Sequence, residues 1–309
     1  MFLPKDFIQT AQGLLFAVVV AGVEENKVRC FLRYVRHENE PWRKISTHDA
    51  NSLLKAYHPA YCFHSPLLDA FLHGVSLDAI TRHHRPTERL TQLLYQKQHD
   101  AIEKDCVDLC RLFETQGVDL STIGVTGSLL ISKHNADSDI DLVCYDVAVF
   151  SKCREALREL LAQHALTDLS EVDWQASYER RDCELDFESY VWHERRKFNK
   201  ALINGRKFDL SLVDTQPVSA ISYRKRGAIR LSVSVMDDTR AFCYPAEFQL
   251  AHPLIQSVVC FTATYTGQAI AGEMIEIAGM LEEDEHGNQR IVVGSSREAQ
   301  GEFIKVIRT

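Results

Sequence analysis

Apolar positions along the chain are spaced in different ways, and the spacing predicts the element. Leu14 to Val23, LLFAVVVAGV, is apolar throughout and is followed, after Glu24, Glu25 and Asn26, by KVRCFLRYV. Two such runs around a short polar break predict a buried hairpin. The first run has the length of a signal-peptide core and is too short to span a bilayer. Ahead of it stand only Lys5 and Asp6, not a cationic leader, so the hairpin is preferred. STHDANSLLKAY predicts a short helix capped by Ser46 or Thr47, and RPTERLTQLL a second one entered at Pro86 and Thr87. DAIEKDCVDLCRLFETQG predicts a longer helix with Ile102, Val107, Leu109, Cys110 and Phe113 on one stripe and Gly117 as its stop.

Downstream the predicted order is strand STIGVTGS, loop LLISKHNAD, strand SDIDLVCY and helix SKCREALRELLAQHAL. Helices SEVDWQASYERR and DFESYVWHERRKFNKALI follow, then an Asn-Gly turn and strand RKFDLSLV. From about residue 228 the pattern turns to strands: IRLSVSVM alternates, SVVCFTATY and MIEIAGMLEE are strand-like, and DEHGNQ separates the last from RIVVGS as a hairpin loop. The chain is therefore expected to be α+β in three parts. These are a small N-terminal α+β unit (1–90), a mixed sheet with helices (91–227) and an all-β domain (228–309). GQAIAGEMIEIAGML is similar to the opening of small barrels of the OB type, which bind oligonucleotides.

Composition narrows this little. With 309 residues, 45% hydrophobic and 25% charged, the chain can bury a sizeable core, and a net charge of −8 argues against nucleic-acid binding by the whole surface but not by a local patch. Nine cysteines without a Cys-x-x-Cys pair point to reduced thiols in a cytoplasmic setting rather than to zinc or disulfides. No membrane partner is expected, and the oligomeric state is not legible.

Candidate chemistry lies in GVTGSLLISKHNADSDIDLVCY, Gly124 to Tyr145. In a strand, side chains two apart share a face, so Asp139 and Asp141 would project together while Ile140 and Leu142 face the other way. Two such charges a few Å apart repel by roughly 4 kcal/mol at an effective dielectric of about 20. A divalent cation removes that cost, and hard carboxylate oxygens suit Mg²⁺ or Mn²⁺. A third acid, Asp209, stands between Phe208 and Leu210 in the later strand, where a lone buried carboxylate would be costly. The plainer alternative is that Asp137, Asp139 and Asp141 cap a turn and solvate an edge strand.

A helix, a strand ending in Gly127-Ser128, a strand with Asp-x-Asp and a later strand with one more Asp resemble the DNA polymerase β-like nucleotidyltransferase superfamily over roughly residues 91–215. GLLFAVV, CFLRYV, GVTGSLL, DSDIDLV, WHERRKFN and VVGSSREAQGE further resemble a family of predicted nucleotidyltransferases of archaea and some bacteria, across nearly the whole chain. The resemblance implies that Asp139, Asp141 and Asp209 hold two Mg²⁺ or Mn²⁺ ions and that an acceptor hydroxyl attacks the α-phosphate of an NTP, releasing pyrophosphate. It implies too that Gly127 and Ser128 bind the β/γ-phosphates. Many members follow Gly-Ser with arginine; here Leu129 and Leu130 follow, so Lys133 or His134 is expected to supply that contact. The endings of a P-loop or a dinucleotide fold are absent from GVTGSLL.

His193, Arg196, Lys197 and Lys200 fall at i, i+3, i+4 and i+7 of the expected helix, on one face. From Arg195 to Arg230 there are ten Lys or Arg against two Asp. Such a strip could position a triphosphate or a nucleic-acid backbone, and the bland reading is a solvated face. Tyr244, Phe248, Phe261 and Tyr265 are candidate stacking residues or ordinary core, and His83 and His84 read as surface or capping residues. The leading expectation is transfer of an NMP from an NTP to a hydroxyl, with RNA or another nucleic acid as acceptor. Nucleotidylation of a protein or small molecule, and a non-catalytic nucleotide- or RNA-binding regulator, are the alternatives.

Overall fold

A computed structural model of the chain describes residues 1–36, 41–213, 215, 221–296 and 299–308. The fold is α+β, with three sheets and seven α-helices among those residues. It divides into two compact units, one made of residues 1–65, 71–167 and 199–218, the other of 66–70, 168–198 and 219–309.

The first unit contains two sheets. One has the order β5-β6-β3-β2-β1-β7, with β4 pairing on β3. Its strands are β1 (Phe7–Thr10), β2 (Leu14–Glu24), β3 (Lys27–Val35), β4 (Arg43–Lys44), β5 (Cys62–Ser65), β6 (Ala70–Ser76) and β7 (Ile80–His84). The expected hairpin is β2–β3, antiparallel, with Ala17 opposite Phe31 and Val18 opposite Cys30. Helix α1 (Thr47–Tyr57) packs its Ala50 and Leu54 into the same core as Phe16, Val28 and Leu32, and Ser46 caps it by accepting from the Asp49 N–H. The strands between Cys62 and His84 have no clear alternation, and the sequence did not announce them.

The other sheet has the order β10-β11-β9-β8. Helix α2 (Pro86–Tyr95) and α3 (Ala101–Thr115) precede it, then come β8 (Ile123–Val125), the short α4 (Gly127–Leu130), β9 (Ile140–Cys144) and α5 (Val147–Ala162). Asp100 caps α3, Gly117 follows its end at φ 75°, and Ile102, Cys106, Leu109, Cys110 and Phe113 are its buried stripe, with Cys106 where Val107 was expected. The predicted loop after Gly127 begins instead as α4.

The second unit starts with α6 (Glu171–Arg181) and α7 (Phe187–Lys197). Here the structure departs from the sequence reading. The helix expected to run to Ile203 ends at Lys197, because Phe198 turns left-handed (φ 48°, ψ 49°). Lys200–Ile203 becomes β10 of the first unit, joined to β11 (Arg206–Leu212) through Asn204 and Gly205, both at positive φ. The four basic residues therefore do not share one helical face. Six strands complete the unit: β12 (Tyr223–Asp237), β13 (Ala246–Leu250), β14 (Ile255–Cys260), β15 (Met274–Asp284), β16 (Gln289–Val293) and β17 (Phe303–Val306). Their order is β12-β13-β14-β16-β15-β17, and β12 also pairs with β15, so five strands form a closed ring. Phe248 and Tyr265 are buried in its core. Tyr244 and Phe261 are half-buried and meet edge-on at 6.4 Å. Among the described residues no helix is long and apolar enough to cross a membrane.

Candidate active site

Strands β9 and β11 are parallel, with Asp209 in register with Asp141. Residues paired in register on neighbouring strands project to the same face. On one face Ile140, Leu142, Phe208, Leu210 and Leu212 are buried, and Phe113 of α3 meets Phe208 edge-on at 6.4 Å. The opposite face carries Asp141 and Asp209, both half-buried. Asp139, also half-buried, stands two residues before Asp141 at the mouth of β9. A strand that must bury one face can leave the other polar at no packing cost, so the alternation of apolar and acidic residues writes this site directly.

Gly127 is bound to Asp141 by lack of space. A Cβ built on it would lie 2.3 Å from Asp141 Oδ2, and its φ of 66° is one that side-chain-bearing residues avoid. The Thr126 N–H donates to the Asp141 carbonyl at 2.9 Å, and the Thr126 hydroxyl donates to the Lys5 carbonyl at 2.7 Å. The Gly-Ser pair thus abuts the Asp-x-Asp pair. Ser128 is half-buried, its carbonyl accepting from the Lys133 N–H at 2.9 Å, and the Lys133 side chain is exposed.

The turn before Asp139 is built by Asn135 and Ser138: Asn135 Oδ1 accepts from the Asp137 N–H, and Ser138 Oγ accepts from the Asn135 N–H. Arg206 holds that turn from the other side. Its Nε lies 2.8 Å from Asp105 Oδ2, and one terminal nitrogen donates to the carbonyls of Ala136 and Ser138 at 2.8 and 3.0 Å.

His134 is engaged elsewhere. Its Nε2 lies 2.6 Å from Asp100 Oδ2. Asp100, Glu103 and His134 bring ligand atoms within 4.8 Å of one another, an arrangement that could hold a metal. The two acids already serve the fold, since Asp100 caps α3 and Glu103 is 2.6 Å from Arg89, which also donates to the Leu129 carbonyl. That group is better described as a clasp between α2, α3 and the Gly-Ser turn. Spread over residues 100 to 134, it has no sequence spacing by which to be found.

The β10–β11 register sets Lys200 opposite Asp209. Lys200 Nζ lies 3.6 Å from Asp209 Oδ1. Another neighbour comes from the first sheet. Tyr34 packs against the cluster of Phe7, Leu15, Leu130 and Ile131. Burial pushes its hydroxyl upward in pKa, Arg33 opposing and the charge of Asp141 adding to the rise. Tyr34 lies more than a hundred residues upstream of Asp141, and nothing local marked it.

The remaining basic residues belong to the second unit, where their partners lie inside that unit. His193 is 1% exposed, its Nδ1 2.6 Å from the Ser189 carbonyl and its Nε2 accepting from the Val306 N–H at 3.1 Å. Burial, with Lys197 and Arg196 adding to it and the Ser189 hydrogen bond opposing, lowers its pKa to about 4. Lys197, 2% exposed, bonds to Glu194 at 2.5 Å and to the Thr264 carbonyl at 2.7 Å. Arg196 pairs with Glu273 at 2.6 Å and lies 4.4 Å over the Trp192 ring.

Fold and site together define an α+β protein whose four-stranded sheet presents Asp141 and Asp209 beside a glycine turn, with Asp139 just ahead of β9. The chain belongs to one family with the uncharacterised protein MJ1086 of Methanocaldococcus jannaschii, to which it is 32% identical over 335 aligned positions covering 98% of each chain. No family model matches it. No solved structure matches it.

Proposed function

We propose that the chain is a divalent-metal-dependent nucleotidyltransferase of the DNA polymerase β-like type, moving an NMP from an NTP to an acceptor hydroxyl with release of pyrophosphate. The observation that carries the reading is the register of Asp141 beside Asp209, with Gly127 pressed against Asp141. Three carboxylates on or at one sheet face offer only hard oxygen donors, which fit Mg²⁺ or Mn²⁺. Such ions, when bound, polarise phosphoryl oxygens and lower the pKa of an oxygen nucleophile.

The chain's own groups do the rest. Asp139 and Asp141 anchor the cation, and Asp209 lies where it can take a hydrogen bond from the acceptor hydroxyl. The N–H groups and hydroxyl of Gly127 and Ser128 receive phosphate oxygens, and Lys133 is the cation of that loop open to solvent. His134, paired to Asp100, is not free for this role. The acceptor hydroxyl gives its proton to Asp209 as its oxygen bonds to the α-phosphorus, the bond to the bridging oxygen breaks, and pyrophosphate carries the electron pair away.

RNA or another nucleic acid is the acceptor we favour. The closed five-strand ring of the second unit supports this, since OB-type barrels bind oligonucleotides, while the exposed Arg226 and Arg230 on β12 are paired with Glu283 and Glu276. The α7 row no longer supports it. Each α-labelled NTP is to be incubated with Mg²⁺ or Mn²⁺, total RNA, protein and metabolite fractions, and the labelled products separated. Labelled RNA supports the reading in full, and labelled protein or small molecule redirects the acceptor. No label with any NTP, beside a working control enzyme, rejects transfer.

A further inference from the structure

We propose that Lys200 is a resident counter-ion of Asp209, so that the acid face takes one divalent cation rather than two. The inference rests on the metal reading above and narrows it. Three strands place Lys200, Asp209 and Asp141 side by side in one row: Lys200 is directly opposite Asp209 in the antiparallel β10–β11 pair, and Asp209 is in register with Asp141 in the parallel β11–β9 pair. Side chains so paired stand on the same face. The helical spacing that assigned Lys200 to a phosphate does not exist here.

The backbone leaves this lysine little freedom to slip out of the row. The Leu210 N–H donates to the Asn199 carbonyl at 2.7 Å, and Asn199 Nδ2 donates back to the Leu210 carbonyl at 3.2 Å. On its other side Ala201 pairs with Phe208. Lys200 is thus bracketed at both neighbours, with its ammonium 3.6 Å from Asp209 Oδ1 and its side chain 9% exposed. A lysine so enclosed needs an anion within reach, and Asp209 is one.

A second dication on Asp209 would have to sit beside that fixed ammonium, with a repulsion twice that of two unit charges at the same separation. Asp139 and Asp141 are then the ligands proper, and Asp209 is a carboxylate held ready by Lys200.

The test is titration of the purified full-length protein with Mn²⁺ alone, following loss of the free-ion electron paramagnetic resonance signal, with circular dichroism melts to check each fold. Expected are one ion per chain in the wild type, one in Lys200→Arg and two in Lys200→Met. Asp209→Asn should keep its single ion, bound more weakly because the Lys200 ammonium is left unneutralised beside the site. Two ions in the wild type, falling to one in Asp209→Asn, would overturn the inference and leave the metal reading intact, as would a Lys200→Met protein that still takes one. No ion in the wild type, or one that survives joint replacement of Asp139 and Asp141 by Asn, would sink the metal reading itself.

Discussion

Two rows of charged residues were candidates for function in the sequence, and the fold treats them in opposite ways. Asp141 and Asp209 share one half-open face because a strand period and a strand register, acting together, leave them no other place, and Asp139 stands just ahead of that strand. His193 and Lys197 are drawn inward and satisfied, by a carbonyl and an N–H and by Glu194 with a carbonyl, while the half-buried Arg196 pairs through one terminal nitrogen with Glu273. Lys200 leaves their row altogether and joins the acids. Periodicity reports which residues share a face. It does not report whether that face meets water or protein, and for long cationic side chains this decides the role.

The largest expected effect lies on the acid row. Asp141→Asn keeps the shape but not the charge, and should lower NMP transfer by about 10³-fold or more, since even one lost charge-stabilising donor costs about 10² to 10³. Its melting temperature should stay close to wild type; a large fall in stability would instead make Asp141 a structural residue. Glycines supply the next contrast. Gly127→Ala and Gly205→Ala both place a side chain at positive φ (66° and 79°), which costs about 1 kcal/mol of stability each. Only at Gly127 does the new Cβ strike Asp141, and nothing lies within 4 Å at Gly205. Transfer should therefore collapse in the first and persist in the second. Equal activity in both would separate the Gly-Ser turn from the chemistry.

Much of the acid row was legible because its information is local. SDIDLV and KFDLSLV each alternate; the parallel register between β9 and β11, and strand β10 in place of the last turns of the expected helix, had to come from the fold. The β2–β3 hairpin and helices α2 and α3 were legible for the same reason. What was hidden depends on distant partners. Phe198, an ordinary residue for a helix, adopts a left-handed conformation that ends α7 and releases Lys200 into a strand. The His134–Asp100 contact and the approach of Tyr34 to Asp141 join segments far apart in sequence, and β6 and β7 form on the edges that β3 and β1 offer, with β5 added outside β6.

The buried basic row should answer to stability where the acid row answers to activity. Lys197→Ala strands Glu194, 4% exposed, without its ammonium, and loss of one partner of a buried pair costs about 3 to 5 kcal/mol. Joint replacement, Glu194→Gln with Lys197→Met, should recover most of that. If the single variant melts like wild type, the pair is not what holds α7. His193 gives a pH-dependent counterpart. Its folded pKa of about 4 lies below the ordinary 6.5, so the neutral ring's contribution is fully present above pH 6.5 and is lost as pH falls towards 4. At one proton the slope is about 1.4 kcal/mol per pH unit, which amounts to about 2 kcal/mol by pH 5. Chemical denaturation across this range should show His193→Gln losing less stability than wild type on acidification; parallel curves would mean the ring does not titrate between the two states.

The smallest effect is the one that tests the comparison most sharply, and it belongs to Arg196. This residue is 22% exposed at its side chain, paired with the equally exposed Glu273 and laid over Trp192. A partly exposed pair with a cation–π contact is worth about 1 kcal/mol, so Arg196→Ala should lower stability by that much. Its effect on transfer is the informative part. A side chain already committed to Glu273 releases no counterions from a phosphate backbone, so KM for NTP and for acceptor, and the slope of log KM against log salt, should match wild type. Charge reversal at the partner, Glu273→Lys, should behave alike in kinetics while costing more stability. If Arg196→Ala instead raised the acceptor KM and flattened its salt slope, Arg196 would exchange Glu273 for a ligand phosphate during turnover. The α7 row would then regain the substrate-binding role that its sequence spacing suggested.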